Sequence, residues 1–141
     1  MIALGSKERR MFIVDKGEKL IDSLTRQFKQ ADISGGMLSG LGALTHAELG
    51  FYHLSRKEYT RKRFDEEYEL ISLTGNIALK DGAPFIHAHV ALGAEDFSAF
   101  GGHLFEAIVA VTAEITVVPF DFSPERKMND LVGLATICGQ R

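Results

Sequence analysis

Apolar residues recur along this chain at two periods. Over residues 18–29 the spacing of Leu20, Ile21, Leu24 and Phe28 matches one face of a helix. Glu18 near its start and Lys29 near its end suit the helix dipole. Elsewhere short apolar runs and alternation predict strands. Residues 11–14, Met-Phe-Ile-Val bounded by charge, form a first strand that ends in a turn at Asp15-Lys16-Gly17. Residues 46–54 alternate Ala47, Leu49, Phe51 and His53 with Glu48, Gly50 and Tyr52. A longer strand spans residues 68–79. The turn signal Lys80-Asp81-Gly82-Ala83-Pro84 then leads into another, over residues 84–93, so a hairpin lays the two side by side. The strongest strand pattern, residues 110–118, lies within 106–119. It puts Val111, Ala113, Ile115 and Val117 on one face and Thr112, Glu114 and Thr116 on the other. The tail shows a turn at Ser123-Pro124 and a last short strand over 131–137.

Two segments invite a functional reading and receive a structural one. Residues 34–44 are rich in glycine, but they lack both the Rossmann spacing before a helix and the Gly-Lys-Ser/Thr of a P-loop. Their glycines fit a strand packed closely against another backbone, or bulges within it, better than a phosphate cradle. Arg56, Lys57, Arg61, Lys62 and Arg63 taken alone resemble a nucleic-acid patch. Glu58, Asp65, Glu66, Glu67 and Glu69 neutralise them, and mixed charge at a hairpin marks a solvated edge that resists aggregation. With no repeat, linker or low-complexity stretch, the pattern predicts one domain over residues 1–141. Its class is α+β, a mainly antiparallel sheet with one main flanking helix.

Composition narrows the setting. The chain has 141 residues, a net charge of -3 and ordinary hydrophobic content at 45%. Nothing global attracts it to nucleic acid. Its one cysteine, Cys138, cannot form an intrachain disulfide, which suits a reducing compartment and excludes a cysteine-only metal site. No apolar run approaches the roughly 20 residues that span a bilayer, and no signal-peptide core follows the charged N-terminus. The expectation is a cytoplasmic protein without membrane contact.

The candidate chemistry lies in residues 84–93 and 101–104. His87 and His89 share one strand face while Ile86, Ala88 and Val90 line the other. Two adjacent imidazoles can take neighbouring positions on one metal ion. His103 supplies a third if the chain folds back, with Gly101 and Gly102 allowing a sharp turn. Three histidines and an open position make a reactive zinc-type site rather than a closed structural one. The same spacing also fits histidines that satisfy neighbouring carbonyls or a carboxylate without any metal. Glu114 is a lone carboxylate in an apolar strand, with three places open to it: near the histidines, at a subunit contact, or in water.

Five blocks carry a family resemblance: residues 41–44 (LGAL), 69–77 (ELISLTGNI), 87–93 (HAHVALG), 101–104 (GGHL) and 112–115 (TAEI). In this order, over essentially the whole chain, they resemble the plants and prokaryotes conserved (PPC) domain, also found beside AT-hooks in plant nuclear proteins. The resemblance implies a sheet of about seven strands with a flanking helix, a homotrimer, and a stand-alone domain of the kind often described by analogy as DNA-binding. His87, His89 and His103 match the family's three histidines, a metal site in some prokaryotic members. A divalent metal, zinc foremost, is implied. The chain lacks the Arg-Gly-Arg-Pro core that enters the AT-rich minor groove, so DNA as a partner rests on analogy. The alternative is a metal-dependent hydrolase or lyase acting on a small polar ligand. The metal would activate water, and Glu69, Glu114 or Glu106 would move protons.

Overall fold

The computed structural model describes the backbone of residues 2–5 and the whole of residues 9–138. Among these are nine strands and one helix: β1 (Ile2–Gly5), β2 (Arg10–Asp15), α1 (Leu20–Gln30), β3 (Gly36–His53), β4 (Glu58–Phe64), β5 (Tyr68–Lys80), β6 (Ala83–Gly93), β7 (Ala99–Pro119), β8 (Glu125–Asn129) and β9 (Leu134–Ile137). The α+β, mainly antiparallel class stands as read. β1 and β8 are additions, and β9 is shorter than expected.

The long strands close on themselves. β3 pairs with both β5 and β7, and β6 pairs with both β5 and β7, so these four form a ring. β2 and β1 extend the sheet beyond β7, and β4 forms a hairpin with β3. The tail returns so that β8 runs parallel to the end of β5, with Lys80 opposite Arg126, and β9 completes the edge. Every strand contact but this one is antiparallel.

Alternation buries Leu73 and Ile77 of β5 with Ile86, Ala88, Val90 and Leu92 of β6, and the bulge between Leu70 and Ser72 turns Leu70 to the same side. They join one core cluster with Leu20, Leu24 and Phe28 of α1, and Phe12 meets Phe28 edge to face at 5.2 Å. Lys19, at the start of α1, caps nothing with its side chain. Glu106 of β7 does so instead, accepting from the backbone N–H of Ile21 at 2.8 Å and of Asp22 at 3.1 Å, and from its neighbour Ala107 at 2.9 Å. A carboxylate at these orphan donors suits both their hydrogen bonding and the helix dipole.

Two expectations need correction. Gly101 and Gly102 do not turn the chain: they lie inside β7, and the turn falls at residues 94–98, closed by the Ala94 N–H donating to the Ser98 carbonyl. A Cβ at Gly101 would strike the Val90 carbonyl, so glycine here lets β6 and β7 approach. Nor does Val111 share a face with Ala113: it is 65% exposed. Gly42 pairs with Ala113 and Leu44 with Val109, so β7 carries two extra residues between them, and the bulge leaves Val111 outward while Val109 and Ala113 both stay buried. The residues 34–44 behave as read: they form a bulged strand start, and at Gly42 (φ 153°) a Cβ would meet the Thr112 carbonyl.

Candidate metal centre

The antiparallel pairing of β6 with β7 sets His89 directly opposite His103, and His87 lies two residues along the same face of β6. One nitrogen from each ring lies within 4.8 Å of the others. The ring centroids are 5.0 Å apart for His87 and His89, 5.1 Å for His87 and His103, and 5.6 Å for His89 and His103. His89 is exposed and the other two are half-buried.

Burial, then the charges of Arg126 and His89, holds the His87 ring below the usual histidine range. His103 is pushed down to about 4, first by burial and then by His87 and His89, with Arg61 and Arg126 adding. Both rings are therefore neutral at pH 7, the form a metal requires. The buried Nδ1 of His103 has no hydrogen-bond partner. An orphaned ring nitrogen in a three-imidazole cluster fits a metal better than it fits a satisfied structural histidine. Ligand nitrogens on tetrahedral zinc are about 3.3–3.4 Å apart, so to hold one ion the three rings would close by up to about 1.5 Å.

The surroundings are cationic and aromatic. Tyr59 lies 5.1 Å from the His103 ring and Phe105 4.7 Å from it, with the Arg61 guanidinium 3.7 Å over Phe105. Burial, then Tyr52, raises the Tyr59 hydroxyl above its usual value, and Arg126 opposes this. Nη2 of Arg126 donates to Asn76 Oδ1 at 2.8 Å and to His87 Nδ1 at 3.2 Å. A guanidinium only donates, so His87 presents its Nδ1 lone pair here. A cavity of about 470 Å³ opens beside His87 and His103.

The carboxylates proposed as proton carriers are elsewhere in the chain. Glu69 is exposed and pairs with Gly93, whereas Asn76, seven residues further along β5, pairs with His87. At about 3.3 Å per residue this sets Glu69 roughly 20 Å from His87 along the sheet. Glu114 is exposed on β7, paired with Leu41 and Ile13, eleven residues from His103. Of its three open places the structure removes the one beside the histidines. Glu106 is engaged at the start of α1. Among the described residues no carboxylate joins the histidine cluster. Sequence reasoning missed Arg126, Tyr59 and Asn76. Tyr59 stood within the charged hairpin and Arg126 within the tail, and no local spacing ties either to the histidines.

A closed, mainly antiparallel sheet with three histidines converging on its outer face defines the class. Residues 2–121 match the Plants and Prokaryotes Conserved (PCC) domain, and the chain belongs to this family, as its sequence blocks suggested. The PPC protein of Pyrococcus horikoshii is 35% identical with a TM-score of 0.88, over 99% of this chain and 96% of that one. A metal-containing protein of Archaeoglobus fulgidus is 33% identical with a TM-score of 0.88, over 93% of each chain. A Bacteroides thetaiotaomicron protein, provisionally described as DNA-binding, is 27% identical with a TM-score of 0.93, over 97% of this chain and 96% of that one. No curated protein matches. No helix among the described residues is long and apolar enough to cross a membrane.

Proposed function

We propose that this protein is a PPC module, one domain over residues 1–141, that holds a divalent metal on His87, His89 and His103 and assembles as a homotrimer. The convergence of three ligand nitrogens within 4.8 Å is the observation behind it. Zinc suits the imidazole donors, although nickel and copper bind such ligands too. The similar Archaeoglobus protein is described as metal-containing. Self-association is supported by exposed apolar residues on the outer face: Met37, paired with Val118, and Leu41, both 55% exposed. The free Cys138 suits the reducing cytoplasm. Protein purified without a nickel column is expected to contain about one metal per chain, and His89→Ala should lose it. Less than about a tenth of an equivalent in the unaltered protein overturns the centre.

A regulatory role on DNA draws on the Bacteroides neighbour, but this chain's surface argues against direct contact. Arg56, Arg61 and Arg63 each pair with a carboxylate, Glu58, Glu48 and Asp65. AT-rich and random duplexes should not shift at low salt. A shift whose affinity falls steeply with salt would restore the DNA reading.

The cavity beside the histidines favours a second reading, a metal-dependent enzyme. A metal here would supply an activated water. His87 and His103 would hold it in their neutral forms, and the apolar wall would exclude solvent. Turnover of a small polar substrate that disappears in a folded His89→Ala protein would favour this reading.

A further inference from the structure

The cavity has a cationic corner that the three histidines leave unexplained. Arg126 reaches it from β8, and its contacts are all to neutral groups: Asn76, His87 and the Ala135 carbonyl, the last at 3.1 Å. Its buried Nε has no acceptor. Among the described residues no carboxylate pairs with it. Burial works against its charge, yet a guanidinium does not give up its proton. Lys80 is its register partner on β5, and both line the cavity beside the Phe85 ring, at 4.9 Å for Lys80 Nζ and 5.7 Å for the guanidinium carbon. The half-buried Arg126 guanidinium, with the exposed Lys80 ammonium beside it, lacks a counter-charge, and an anion between the two supplies it.

A metal would strengthen this need. Ligation through His87 Nδ1 takes the lone pair that Arg126 now faces. Ligation through Nε2 puts the ring proton on Nδ1. Either way Arg126 loses that acceptor. Beyond the cations, the wall is mostly apolar, with Ile21, Phe85, Leu104 and Leu134. Such a wall suits an organic body and not a fully hydrated inorganic anion.

We propose that this cavity binds a small monocarboxylate with an apolar body, its carboxylate between Arg126 and Lys80 and its body directed toward the histidines. Arg126 lies beyond residue 121, where the family match ends, so the tail supplies the recognition of the anion. The inference deepens the enzyme reading and rests on the histidine centre only for what lies at the far end of the ligand.

Calorimetric titration of the full chain with acetate, isobutyrate and benzoate, each beside its neutral amide, tests this, with metal content measured on the same samples. At least one carboxylate should bind about tenfold or more tightly than its amide. Arg126→Met should lose that preference while its metal content stays unchanged, and Arg126→Lys should keep part of it. Equal affinity for acid and amide, no carboxylate binding, or an unchanged preference in Arg126→Met would overturn the proposal. Should Arg126→Met not fold, the acid-amide comparison on the unaltered protein still decides. Metal without carboxylate binding sinks this inference alone, and carboxylate binding without metal sinks the histidine centre alone.

Discussion

His103 faces His89 across the β6–β7 ladder, and its surroundings hold the ring neutral down to a pH of about 4. Unfolded, the ring titrates near 6.5. Between these values the unfolded chain binds a proton that the folded chain refuses, so lowering the pH favours unfolding. The metal-free protein should therefore unfold at lower urea at pH 5 than at pH 7, and His103→Asn should narrow the difference. Equal midpoints for the unaltered protein at the two pH values would contradict this. At this scale the sequence was informative about His87 and His89, because a period of two puts them on one face whatever the strand's neighbours. It was silent on Arg126, which meets His87 only through a tail contact spanning 39 residues.

The elements hold these residues through contacts that are not local. Glu106 satisfies the start of α1 from β7, 85 residues away from Ile21. Glu106→Ala should lower unfolding free energy by about 1–2 kcal/mol without changing metal content, as measured by denaturation and elemental analysis. Gly101→Ala should act differently. Its new Cβ meets the Val90 carbonyl and forces β6 from β7. A destabilisation of about 1–3 kcal/mol should come with loss of metal, since the same ladder aligns His89 with His103. The helix was legible because its apolar residues repeat within a single element. The pair Gly101-Gly102 was read as a turn because glycine serves turns and close strand contacts alike, and only the neighbouring backbone tells them apart. Val111 was misassigned for a related reason: the extra residues in β7 are visible only against β3.

For the whole molecule, the outer face of β3 and β7 carries Met37, Leu41, Val111 and Val118 in the open. Apolar side chains gathered on one sheet face mark an interaction surface. Light scattering should give the mass of three chains, and Val111→Asp should reduce it to that of one. A monomeric unaltered protein would remove the trimer.

The sequence by itself determined the α+β class, the one helix, the mainly antiparallel strands and the shared face of His87 and His89, because each follows from periodicity within a few neighbouring residues. His103 was a third ligand on the condition that the chain folded back, and the family blocks matched it. Only the tertiary structure decided how the four long strands close into a ring, which carboxylates stay away from the histidines, and that the tail delivers Arg126 to them. Those outcomes depend on strand register and on bulges that invert a strand's facing. Both are set by which distant backbones pair, and no single stretch of chain encodes that pairing.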